Sequence, residues 1–89
     1  MQEDRIGTIS HYYSHLGVAA ISLDGELRVG DMIHIKGHTS DFVQNVDSIE
    51  VAHHQVETAG KGDKIGIRVK EHTRVHDTVY RVTGERDAA

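Results

Sequence analysis

Cysteine is absent from the 89 residues, which excludes disulfides and thiolate metal sites and fits a reducing compartment. No apolar run approaches the ~20 residues of a membrane-spanning helix. The polar start Met1-Gln2-Glu3-Asp4-Arg5 is not that of a signal peptide. A soluble, cytoplasmic protein is therefore expected. Helical patterning is missing too: no stretch longer than about one turn carries capped 3.6-residue periodicity. An excess of positive charge is lacking, since the net charge is −4 with histidines neutral. This argues against broad, non-specific nucleic-acid binding, which rests on many phosphate neutralisations. Aromatic residues are scarce, namely Tyr12, Tyr13, Tyr80 and Phe42. Phe42 and Tyr80 are expected in the core. Tyr12 and Tyr13 point to opposite faces of an extended chain, so one of them can be exposed beside basic residues, as base stacking requires.

What is present is a repeated turn that launches a strand. Gly30-Asp31-Met32-Ile33-His34-Ile35 returns as Gly62-Asp63-Lys64-Ile65-Gly66-Ile67, and a weaker copy is His76-Asp77-Thr78-Val79-Tyr80-Arg81-Val82. Glycine takes positive φ without a Cβ clash, and the Asp side chain can bond the backbone two residues on. The aliphatics that follow alternate, which is the period of a half-buried strand.

The remaining segments fit this pattern. Residues 5–12 form a first strand, in which the odd spacing of Ile6 and Ile9 requires a bulge near Gly7. Residues 12–16 are a connection, and residues 17–23 a second strand with Ala19, Ile21 and Leu23 on one face. Asp24-Gly25 is a turn, and residues 31–36 the third strand. Between 41 and 52 the inward parity switches near Asp47-Ser48, which marks a corner. Residues 53–58 are a loop or a short strand, and Ala59-Gly60-Lys61-Gly62 is a tight turn. Ile65, Ile67 and Val69 point inward, and residues 78–82 close the sheet. The expectation is one all-β domain over 1–89, a small closed antiparallel barrel with its core in 5–82 and a frayed tail in 83–89.

The order of these segments resembles a known family. The carrying residues are Ile6-Gly7-x-Ile9, Gly17-Val18-Ala19, Leu27-x-Val29-Gly30-Asp31-x-Ile33, Ser48-Ile49-Glu50, Ala59-Gly60 with Ile65-Gly66-Ile67, and Asp77-x-Val79-Tyr80. Together they resemble the second domain of translational GTPases, the β-barrel of the elongation factor Tu family. More distantly, the chain is similar to the C-terminal barrel of collagenase-like peptidases. The first resemblance implies a barrel of six to seven strands and a translation-factor-like module contacting RNA or a translation-associated protein. The second implies an accessory or substrate-recognition subunit docking on a separately encoded enzyme such as a collagenase-like peptidase. Neither brings a catalytic part. No Gly-x-x-x-x-Gly-Lys-Ser/Thr loop occurs in the chain, so no nucleotide binding is expected.

The residues themselves argue against catalysis. Histidine pairs His11/His15, His34/His38 and His72/His76 are spaced by four. On a strand that spacing spans about 13 Å, too far for two ligands within ~2.1 Å of one zinc. Asp24, Glu26 and Asp31 suit turns better than acid–base work. Ser14 and His15 are neighbours without a third group. A non-enzyme without cofactor or metal is therefore expected. The candidate binding residues are Lys61, Lys64, Arg68, Lys70 and Arg74, five cations against two acids in that stretch. They form the one segment where positive potential can build up in an acidic chain.

Overall fold

The computed structural model describes residues 2–83. The frayed tail expected from residue 83 lies, beyond Thr83, outside the described residues. Ten strands follow in order: β1 (Gln2–Tyr13), β2 (Val18–Leu23), β3 (Leu27–Arg28), β4 (Met32–Lys36), β5 (Asp41–Asn45), β6 (Ile49–Val51), β7 (His54–Val56), β8 (Thr58–Ala59), β9 (Lys64–Arg68) and β10 (Thr78–Thr83). The count exceeds six to seven because β3, β6, β7 and β8 are only two or three residues long. All pairings are antiparallel. The large sheet runs β5-β4-β10-β1-β2-β9-β6-β7, and β3 pairs with β8 in a small second sheet. The large sheet therefore ends at β5 and β7 in its ladder order. No helix among the described residues is long and apolar enough to cross a membrane.

The three repeated turns share one geometry. Their central residues Gly30, Gly62 and His76 have φ of +97°, +90° and +78°. In each, the Asp accepts a bond on its side chain from the backbone N–H three residues earlier: Arg28, Gly60 and Arg74 donate to Asp31, Asp63 and Asp77 at 2.9 Å. The Asp carboxylate thus reaches backward along the chain, not forward as the sequence pattern alone predicts. Each turn also grips one buried apolar residue through a reciprocal backbone pair. Gly30 donates to Val46, which donates to Asp31; Gly62 donates to Leu23, which donates to Asp63; His76 donates to Ile9, which donates to Asp77. Val46, Leu23 and Ile9 are at most 2% exposed. The turns thereby anchor to the core the strands they launch.

Two register shifts bend β1. The first lies between Arg5 and Gly7, the second between Ile9 and His11. The first lets Ile6 and Ile9 both face inward despite their odd spacing, and both are buried. It also leaves the Ile6 carbonyl off the ladder, where it accepts from Asp24 and Gly25 at 2.7 and 3.2 Å. These inward residues join Ala19, Ile21, Leu27, Ile33, Ile35, Phe42, Ile49, Ile65, Ile67 and Val79 in one core cluster. Two core expectations need correction. Val69 is half-buried against the cluster's rim, because it lies one residue past the end of β9. Tyr80 lies on the outer face opposite His34, because Val79 takes the inward position beside it.

Candidate functional site

The five cations of residues 61–74 do not form one patch. Lys61 sits in the turn gripping Leu23, at one end of the β2–β9 pair. Lys64 opens β9 opposite Ser22, whereas Arg68 ends it opposite Val18. Four residues of strand separate them, about 13 Å at ~3.3 Å per residue. Arg74 lies in the third turn, where its Nε donates to the Thr39 hydroxyl at 2.8 Å. Arg68 and Lys70 do come together, lining one groove of about 480 Å³ with Leu16, Gly17, Gln44, Asn45, Asp47 and Val69.

Gln44 of β5 builds that groove. Its side-chain amide donates to the Arg68 carbonyl and accepts from the Lys70 N–H, each at 2.8 Å. One side chain thus imitates a strand residue and fastens β5 to the chain leaving β9. On the other side of Leu16 lies a second, more apolar groove of about 510 Å³. Tyr13, Leu16, Val18 and Ala20 line it, with Lys64, Glu50 and His53 at its margins. Its floor is open because the outward residues of β2 and β9 here are Val18, Ala20 and Gly66, which are small. The expectation that one of the paired tyrosines is exposed applies to Tyr13, 46% exposed, while Tyr12 packs against the core.

Leu16 was not among the residues singled out from the sequence. It lies in a connection between His15 and Gly17, outside any alternating run that would mark it. In the structure it is 63% exposed and borders both grooves. Its turn is well held: Leu16 and Gly17 both donate to the Tyr13 carbonyl, at 3.0 and 2.9 Å, and Val69 donates to Gly17 at 3.0 Å.

His34 forms a separate polar cluster. Its Nδ1 lies 2.9 Å from Glu3 and its Nε2 2.5 Å from Asp41, joining β1, β4 and β5. The hydrogen bond to Asp41 raises the His34 pKa above its ordinary value; Glu3 adds to this, and burial works against it. The Asp41 carboxyl is lowered chiefly by the same bond. Each ring nitrogen engages a different carboxylate, so the imidazole bridges the two acids and leaves no nitrogen free for a metal. Asp24 pairs with Arg5 at 2.7 Å and Asp31 caps its turn, so two of the three acids near residue 24 have structural partners. Ser14 and His15 are both exposed on the turn that carries Leu16.

No family profile matches the chain. It is 42% identical over 82 residues to a collagenase of Porphyromonas gingivalis, covering 90% of this chain and 23% of that protein. Against an uncharacterized protease of Methanocaldococcus jannaschii it is 37% identical over 76 residues, covering 84% of this chain and 19% of the relative. The chain thus spans about a fifth of the length of the curated relatives it matches. In structure it is similar to the C-terminal domain of a Geobacillus thermoleovorans protein assigned to the U32 peptidases. The TM-score is 0.85 at 17% identity, over 90% of this chain and 93% of that one. These findings overturn the translation-factor and RNA-binding reading, because turn and strand patterns by themselves do not carry function. The homologues of this chain are a collagenase and a protease, and its fold is that of a peptidase's C-terminal domain.

Proposed function

We propose that this chain is a non-catalytic accessory domain for a collagenase-type peptidase, acting by docking on the catalytic body. The observation that carries the reading is the 42% identity over 90% of the chain to a collagenase more than four times as long as the match. The described residues hold no cluster of three or more His, Cys, Asp or Glu placed to bind a metal. Ser14 and His15, the one adjacent nucleophile and base, sit on an exposed turn without an orienting third group. In this proposal the sheet forms a barrel whose last seam, between β5 and the end of β9, is fastened by the Gln44 amide and not by a strand ladder. Such a small rigid body suits holding one protein surface against another.

The test is a chimera of the P. gingivalis collagenase in which residues 2–83 of this chain replace the matching segment. The chimera should cleave a fluorogenic gelatin substrate, a deletion of the segment should be strongly impaired, and the 89-residue chain alone should be inactive. A chimera no better than the deletion, or cleavage by the isolated chain, would defeat the reading.

A further inference from the structure

We infer that the surface centred on Leu16, with Tyr13 on one side and Arg68 and Lys70 on the other, is where this domain seats on the peptidase's catalytic body. The inference rests on the accessory-domain reading and gives it a location. Its occupant is a protein surface with an apolar socket for Leu16 and Tyr13 and carboxylates facing Arg68 and Lys70.

Three observations converge. First, exposed apolar residues cluster here: Leu16 at 63% and Tyr13 at 46% flank a groove floored by Val18 and Ala20. A single exposed leucine is ordinary, whereas a contiguous apolar concavity marks an interaction surface. Second, the knob is held in place. The two bonds onto the Tyr13 carbonyl and the Val69–Gly17 bond fix the turn, so little ordering entropy is lost when it is buried. Third, the adjoining cations outnumber the one acid of their groove, Asp47, and Arg68 and Lys70 make no ion pair among the described residues. In a chain of net charge −4, a cationic flank beside an apolar knob selects an acidic rim on the partner. The relatives supply a body to meet it, since about four-fifths of their length lies beyond the match.

On the far wall of the apolar groove, Ala52 and His53 form the β6–β7 hairpin turn with φ of +51° and +68°. Glycine and asparagine are the usual residues of such a turn. Here side chains are kept at a backbone cost, and both line the groove.

Hydrogen exchange on the chimera and on the isolated 89-residue chain locates the contact. Backbone amides of residues 14–18 and 68–70 should exchange at least about tenfold more slowly in the chimera. Leu16→Glu, and the pair Arg68→Glu with Lys70→Glu, should lower the chimera's gelatin cleavage severalfold. Arg28→Glu with Lys61→Glu, the same charge change outside both grooves, should not. Melting of each variant as the isolated chain checks folding, with Leu16→Ser as the milder replacement if Leu16→Glu does not fold. An active chimera with no added protection at these amides, or with the control pair equally harmful, would sink the inference and leave the accessory reading standing. Concentration-dependent protection of the same amides in the isolated chain would assign the surface to a second copy instead. A chimera as impaired as the deletion would remove both.

Discussion

At the scale of single residues, His34 and the three turn centres make the sharpest predictions. A protonated imidazole can donate from both nitrogens, whereas a neutral one has a single N–H and must give up one carboxylate. The folded-state pKa of His34 is raised above 6.5. Its contribution to stability is therefore complete below 6.5 and is lost as pH rises through the raised value. The lowered carboxyl of Asp41 contributes above 3.8 and is lost as pH falls through its folded value. The melting temperature of the wild type should accordingly fall more steeply than that of His34→Gln as pH is raised from about 5.5 to about 8. The variant comparison separates His34 from the seven other histidines. Parallel curves would mean that the bridge adds nothing. In the turns, a Cβ on Gly30 or Gly62 meets nothing within 4 Å, so only backbone strain opposes substitution. Gly30→Val and Gly62→Val should each cost about 1–3 kcal/mol in chemical denaturation. His76 already bears that strain at φ +78°, so His76→Gly should be neutral or stabilising. Loss of stability in His76→Gly would show that its side chain, not the backbone, holds the third turn.

At the scale of elements, the Gln44 bridge is the least redundant join. Truncation to alanine leaves the Arg68 carbonyl and the Lys70 N–H without their partner. Gln44→Ala should therefore speed exchange of the Lys70 amide far more than that of Ile21 or Ile33 amides deep in the sheet. Unchanged exchange at Lys70 would mean that the seam is held by packing alone. This join was not legible in the sequence: a glutamine between Val43 and Asn45 looks like any outward strand residue, and its two partners lie more than 20 positions away. The strands themselves were legible, because alternation and turn residues are local signals. The bulge near Gly7 was legible as well, from the odd spacing of Ile6 and Ile9. Of the short strands, β7 falls in the 53–58 stretch that reads as a loop or a short strand, whereas β3 and β8 were not legible, since two residues carry no measurable period.

At the scale of the whole molecule, the radius of gyration of 12.1 Å matches the ~12 Å of a compact domain of this length. One core serves both sheets, with Leu27 of β3 and Ala59 of β8 buried in the same cluster as β1, β2, β4 and β9. The translation-factor reading failed at this scale. Turn chemistry and strand order specify how a small β-fold is made, not what it does. The relatives, not the fold, point to peptidases.

Local chemistry determined a good deal here by itself. The Gly-Asp and His-Asp pairs specified where turns occur, and the isoleucine alternation specified which strand faces turn inward. Tertiary structure alone decided which outward residues meet. A run of cations contiguous in sequence is divided by the extended strand that carries it, because four residues of β-structure span about 13 Å. Tyr13, Leu16, Arg68 and Lys70, more than 50 positions apart in part, are brought to one surface because β2 pairs with β9. Which strands pair depends on how the whole set of apolar faces closes over one core, and no local stretch of sequence contains that information.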